Sequence, residues 1–204
     1  MNYSKKEIIL ASANSKKIAE LSVLLENSGF FIRSASEAGF LSVIDETGNS
    51  FMENAVLKAE AVMQALGCMA VADDSGLEVY ALDNEPGVYS ARYAGQDADD
   101  ETNNEKLLAV MRDLPKEKRG ARFVAAVAVA EPGAKTVCFT GVCEGEILHT
   151  PRGESGFGYD PLFLPKGKEQ TFAEMPHTDK NAISHRGIAL RLLQEYLHDR
   201  TPIV

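Results

Sequence analysis

Apolar residues recur at two spacings along this chain, and the switches between them divide it into elements. Glu7–Ala13 (EIILASA) is a short apolar run that predicts a first strand. Asn14 or Ser15 is placed to cap a helix whose Ile18, Leu21, Leu24 and Leu25 share one face, and Gly29 closes it. Phe30–Ser34 predicts a second strand. Ser50 caps a second helix with Phe51, Ala55, Ala59, Val62 and Leu66 at helical spacing, and Gly67 ends it. On that helix Asn54 and Lys58 are four apart and share a face away from the apolar stripe. Met69–Ala72 and Leu77–Leu82 predict two further strands. Asp100–Met111 predicts a surface helix with Leu107, Leu108, Val110 and Met111 inward. Arg122–Glu131 and Thr136–Glu144 predict an antiparallel pair around Pro132-Gly133, which Gly145–Leu148 extends. A last helix runs from near Ser184 to His198, burying Ile188, Leu192, Leu193, Tyr196 and Leu197. Early βα units followed by antiparallel strands predict an α/β fold with a mixed β-sheet and flanking helices.

Composition narrows the function classes. The chain has 204 residues, 45% of them apolar and 25% charged, which suits a globular protein of one large or two-lobed domain. No apolar stretch approaches the roughly 20 residues that span a bilayer, and Met1–Glu7 is too polar for a secretory signal. The net charge of −9 argues against a nucleic-acid backbone or an anionic membrane as partner. A local basic pocket for a small phosphate ligand is compatible with it. Cys68, Cys138 and Cys143 lack metal-ligand spacing and read as reduced packing thiols of a cytoplasmic protein. His149, His177, His185 and His198 form no zinc pattern.

Four segments carry candidate chemistry. Ala72-Asp73-Asp74-Ser75-Gly76 ends an apolar run with two adjacent carboxylates. Such oxygens suit Mg²⁺, and one could activate a water. The same five residues are equally an acidic tight turn. Ser12-Ala13-Asn14-Ser15-Lys16-Lys17 is a strand-to-helix turn with lysines, able to bind a phosphate at a helix N-terminus or to be a plain capped helix. It is no Walker A loop. Gly153–Pro161 holds glycines that permit close backbone approach and two aromatics, Phe157 and Tyr159. These either stack on a base or belong to the core. Lys180, His185 and Arg186 gather at the start of the last helix, where Ser184 is an N-cap. Ser184 and His185 are adjacent and do not face each other, and no G-x-S-x-G elbow exists, which excludes a serine hydrolase.

Set in order, S-A-N-S-K-K at 12–17, E-T-G at 46–48, F-M-E-N-A-V-L-K-A at 51–59, A-D-D-S-G-L at 72–77, P-G-V-Y-S-A-R-Y at 86–93, F-G-Y-D-P at 157–161 and K-N-A-I-S-H-R-G at 180–187 resemble the inosine triphosphate pyrophosphatase family. The resemblance covers about Ile8 to Leu193. It implies an elongated mixed sheet forming two lobes around a nucleotide-binding cleft, a homodimer, and Mg²⁺-dependent hydrolysis of ITP, dITP and XTP to the monophosphate and pyrophosphate. By the same resemblance Ser12, Ala13, Asn14, Ser15, Lys16 and Lys17 are the phosphate-side loop, and Lys58 and Ser75 touch substrate. Glu46 and Asp74 hold the metal, Asp73 assists, and Asp74 is the water-activating base. Phe157, Gly158, Tyr159, Asp160, Lys180, His185 and Arg186 lie on the nucleobase side. Where the family often has Thr-Gly-Asn this chain has Ser12-Ala13-Asn14, keeping the hydroxyl but losing the freedom of glycine. Two rivals are a Maf-like pyrophosphatase of pyrimidine or modified nucleotides and a nucleotide-binding sensor without catalysis.

Overall fold

A computed structural model describes residues 6–12, 17–18, 21–22 and 29–200. Six strands form one sheet in the order β2-β1-β3-β4-β5-β6. They are β1 (Lys6–Leu10), β2 (Phe30–Ser34), β3 (Ala70–Val79), β4 (Gly120–Ala130), β5 (Val137–Ile147) and β6 (Phe163–Pro165). Strand β1 is parallel to both β2 and β3, whereas β5 and β6 are antiparallel. The mixed sheet and its flanking helices are the α/β architecture that the periodicity predicts. They are accompanied by the helices α1 (Phe51–Leu66), α2 (Asp100–Val110), α3 (His177–Ile183) and α4 (His185–His198). None is long and apolar enough to cross a membrane.

The chain divides into two compact units, residues 1–74, 126–140 and 189–204 in one and 75–125 and 141–188 in the other. The first has a core of Ile9, Ala35, Val62 and Ala70, with Phe40, Ile44, Met63 and Leu66 packed on it. The second is larger and aromatic. Phe123, Phe163 and Phe172 meet at centroid separations of 4.7, 5.1 and 5.9 Å, alongside Leu77, Leu107, Met111, Ile147 and Tyr159. Each such ring pair adds about 0.5–1.5 kcal/mol beyond the area it buries.

Helix α1 keeps the bounds its sequence predicts. The Ser50 side chain accepts from the Glu53 amide, and Gly67 is left-handed, its N–H donating to the Met63 carbonyl. Helix α4 is also capped as expected, with the Gly187 N–H donating to Ser184 Oγ at 3.1 Å. A separate short helix, α3, precedes it, which the reading of one last helix did not anticipate. The inward faces shift slightly. Val110 is 48% and Leu192 37% exposed, while Asn103 and Ala189 are buried in their stead. In α2 the buried stripe is Asn103, Leu107 and Met111, a strict i, i+4 row that Val110 flanks.

Strand β3 requires the main correction. Met69–Ala72 and Leu77–Leu82 are not two strands around an acidic turn. A single strand runs through Asp73, Asp74, Ser75 and Gly76, and Tyr80–Leu82 is a short 3₁₀ turn. Gly76 is needed for room and not for turning. A Cβ there would collide with the Ser90 side chain and the Gly87 carbonyl. Ser90 Oγ accepts from the Leu77 N–H at 2.9 Å and donates to the Gly87 carbonyl at 2.6 Å.

Arg119 is the largest buried side chain that pattern alone does not place. It is 2% exposed, and its guanidinium donates to the Ile147, Met111 and Leu148 carbonyls at 2.7, 2.6 and 2.9 Å. It ties the end of α2 to the end of β5. Arg119→Met should therefore lower stability by about 2–4 kcal/mol, because buried carbonyls lose charge-assisted partners. Urea unfolding checks this as a lower midpoint at unchanged slope, and an unmoved midpoint would show that the carbonyls find other donors.

Candidate active site

The topology of the first unit makes a crevice before any side chain is considered. β1 has β2 on one side and β3 on the other, all parallel, so the chain changes direction across the sheet at β1. Ligands of open α/β sheets bind outside the carboxyl ends of the strands at such a switch point. Leu10 and Val71 are the last paired residues of β1 and β3. Ser12 follows β1 after Ala11, and Asp73 and Asp74 continue β3 beyond that pair. Lys17 and Ile18 are helical. Ala13, Asn14, Ser15 and Lys16, assigned to the phosphate-side loop, lie outside the described residues.

Successive residues of a strand point to opposite faces, and Asp73 and Asp74 have different partners accordingly. Asp73 is buried and takes the Lys17 ammonium at 2.6 Å. Asp74 takes Lys58 Nζ at 3.2 Å and Asn54 Nδ2 at 3.2 Å. Lys58 Nζ also donates to Glu46 at 2.8 Å. The carboxylates read as one oxygen set thus divide: Glu46 and Asp74 converge on a single ammonium, and Asp73 stands with Lys17. Among the described residues no three His, Cys, Asp or Glu side chains group as metal ligands.

Asn54 completes this arrangement, and the sequence reading left it out of the site. It is fully buried, not turned away with a polar helix face. Its Oδ1 accepts from the Gly48 N–H at 2.8 Å, fixing the loop that carries Glu46, while its amide nitrogen donates to Asp74. Its place one turn before Lys58 on α1 was the available signal. Burial pushes the Asp74 carboxyl above the usual aspartate value, against the pull of Lys58. Burial also opposes the Lys58 ammonium, but Asp74, Glu46 and Asp73 outweigh it and hold that pKa above the ordinary lysine value. Ser75, next on β3, is half-buried.

The second unit holds the other cluster. Phe157 and Tyr159 have opposite fates, and the core reading holds for Tyr159 alone. Tyr159 is a core residue whose hydroxyl donates to the Ser90 carbonyl at 2.9 Å, whereas Phe157 is 59% exposed. Asp160 is buried. Its Oδ2 accepts from the Phe157 N–H at 2.9 Å and from Lys180 Nζ. Gly156 passes so close to this carboxylate that any side chain there would strike it. Burial raises the Asp160 carboxyl, and Lys180 works against that. The Lys180 ammonium lies 4.8 Å from the Phe157 ring centroid and 5.4 Å from that of Phe172. Lys180 belongs to α3 and not to the start of α4. His185 is buried and stacks on Phe123 at 4.7 Å and 10°, and Arg186 is half-buried. An exposed aromatic face beside a cation and buried polar groups can bind a planar heterocycle.

The three cysteines take no part. All are free, and burial pushes the Cys143 thiol up to about 11, far from a reactive thiolate.

Comparison with known proteins identifies the family. Residues 8–196 match the Ham1 family. The chain is 49% identical over 192 residues to a dITP/XTP pyrophosphatase of Bacillus subtilis, covering 94% of this chain and 97% of the relative. It is 45% identical over 190 residues to a dITP/XTP pyrophosphatase of Geobacter sulfurreducens, covering 93% and 96%. Among solved structures, the Staphylococcus aureus Ham1 protein superposes with a TM-score of 0.91 at 42% identity, covering 96% of this chain and all of the other. The resemblance read from the motifs extends over nearly the whole chain, and the protein belongs to the Ham1 family.

Proposed function

We propose that this protein hydrolyses non-standard purine nucleoside triphosphates, ITP, dITP and XTP, to the monophosphate and pyrophosphate. The observation that carries the reading is the Glu46–Lys58–Asp74 cluster at the switch point of the sheet, in a chain whose relatives are named dITP/XTP pyrophosphatases. Water attacks the α-phosphorus, the bond to the bridging oxygen breaks, and pyrophosphate leaves. Asp74 accepts the proton from that water. Asn54 and Lys58 fix its orientation. Lys17 and Lys58 neutralise phosphate oxygens inside an acidic protein.

Mg²⁺ fits the donors present. Glu46 and Asp74 offer hard oxygens to one point, and Mg²⁺ is ordinarily held by one or two carboxylates together with substrate phosphates and waters. When bound, the ion supplies charge neutralisation at the triphosphate. Asp73, paired with Lys17, positions that lysine in this reading and assists the metal only indirectly. In this reading the two compact units are lobes of one enzyme, a cytoplasmic homodimer.

Purine choice follows from hydrogen bonding. Hypoxanthine and xanthine present an acceptor at O6 and a donor at N1, and adenine presents the reverse. Donors such as Arg186, with Phe157, Lys180, Asp160 and His185 about the base, satisfy the former and leave unpaired groups with the latter. A pyrophosphate-release assay across ITP, XTP, ATP and pyrimidine triphosphates tests the whole reading. Preference for ITP and XTP supports it, pyrimidine preference favours a Maf-like enzyme, and no release at all favours a sensor. In the same assay Arg186→Ala should cut discrimination between ITP and ATP by about 1–3 kcal/mol. Lys17→Ala should weaken all triphosphates alike, because every nucleotide offers the same phosphates. If Arg186→Ala slows ITP and ATP by one factor, Arg186 serves the phosphates or the fold.

A further inference from the structure

Helix α2 carries two polar side chains that no step of this reaction uses. Asp100, its first residue, accepts from the Gly158 N–H through Oδ2 at 2.6 Å. Asn104, one turn later, donates from Nδ2 to the Gly158 carbonyl at 2.9 Å and to the Asp100 carbonyl at 2.7 Å. Both backbone polar groups of Gly158 are therefore tied to one helical turn. That turn is itself held by a reciprocal cap: the Thr102 N–H donates to Asp99 Oδ1 at 2.8 Å and the Asp99 N–H donates to Thr102 Oγ1 at 3.1 Å.

Gly158 directly follows Phe157, the exposed aromatic of the second cluster. From its other side the same turn is held by Asp160, which accepts the Phe157 N–H and the Lys180 ammonium. An exposed ring on a loop flanked by Gly156 and Gly158 would otherwise sample many positions. Ordering one residue costs about 1–2 kcal/mol in backbone entropy alone. Here that cost is met by the fold before a ligand arrives, which is the physical meaning of preorganisation.

We propose that Asp100 and Asn104 are positioning residues that hold the Phe157 turn ready for the purine, so that base recognition depends on a helix that does not itself touch the nucleotide. The proposal rests on the assignment of Phe157–Asp160 to the base. It gives a role to the acidic start of α2, which otherwise reads as a solvated surface.

The test compares Asp100→Ala/Asn104→Ala, Asp100→Asn and Phe157→Ala in steady-state kinetics with ITP, and in competitive inhibition by inorganic tripolyphosphate, which has no base. The double variant is expected to raise KM for ITP roughly tenfold, with kcat within about threefold and the tripolyphosphate inhibition constant unmoved. Asp100→Asn, whose amide oxygen can still accept from the Gly158 N–H, is expected to restore KM toward the parent value. If Phe157→Ala raises KM while the double variant does not, the clamp is dispensable and the proposal falls while the base assignment stands. If Phe157→Ala itself leaves KM unmoved, the base assignment falls and takes the proposal with it. A tripolyphosphate constant that rises in step with KM shows that the two residues only support the fold, which also overturns the proposal. Should the double variant not fold, Asn104→Ala alone carries the same comparison.

Discussion

Replacing Asp74 by asparagine is expected to lower kcat for ITP by at least roughly 10²-fold, the scale of a lost general base. The change is nearly isosteric and leaves an oxygen able to accept from Asn54 or Lys58, so the fold and the loop carrying Glu46 should persist. An amide cannot take a proton from water at neutral pH. Because the carboxylate acts chiefly in the transition state, kcat and kcat/KM should fall together. Circular dichroism and the urea midpoint establish that the variant is folded. A folded variant with near-normal kcat would remove Asp74 from the proton-transfer role and leave it only an ion-pair partner of Lys58.

Stripping divalent metal should have an effect at least as large. With saturating ITP, activity is expected to vanish in EDTA and to return when Mg²⁺ is restored. A nucleoside triphosphate brings about four negative charges to a protein whose own charge is −9. Among the described residues Lys17 is engaged with Asp73, and Lys58 with Glu46 and Asp74. These two lysines, neutralised by three carboxylates, bring no surplus positive charge to the triphosphate. A divalent ion held by the Glu46 and Asp74 carboxylates would supply that charge. The donors are hard oxygens, so Mg²⁺ and Mn²⁺ should restore activity better than softer ions. Full turnover after rigorous metal removal would sink this mechanism.

The elements that could be read from sequence are those whose signals are local. Helix α1 was legible because Ser50, the apolar stripe and Gly67 lie within one segment and each acts on its neighbours. The break assigned within β3 was wrong because Asp, Ser and Gly favour turns when judged alone. What keeps the backbone extended is long-range: Ser90 on the Leu77 amide, and Lys17, Asn54 and Lys58 on the two carboxylates. The site was legible as residue types and only partly as geometry. Lys58, Glu46 and Asp74 could be named, but their convergence on one ammonium depends on how a loop, a helix and a strand are brought together. Asn54 was overlooked because an amide on a helix face looks solvated until its two partners are known. The split between Phe157 and Tyr159 has the same cause. Alternation along a loop does not say which aromatic faces the core, and the Ser90 carbonyl that holds the Tyr159 hydroxyl lies 69 positions away in the chain.

In β3, which carboxylate meets Lys58 is a matter of parity. Asp73 and Asp74 are chemically the same residue, and only odd or even position along the strand assigns one to Lys17 and the other to Lys58. A substitution at either position costs that residue's own contact. An insertion of one residue between Val71 and Asp73 would put Asp73 in the place of Asp74, opposite Lys58, and carry Asp74 one position further along, leaving Lys17 without its carboxylate. Length, more than side-chain chemistry, is therefore the quantity this strand cannot vary. The Pro132-Gly133 turn between β4 and β5, which orients no catalytic group, is where the chain can absorb added or missing residues.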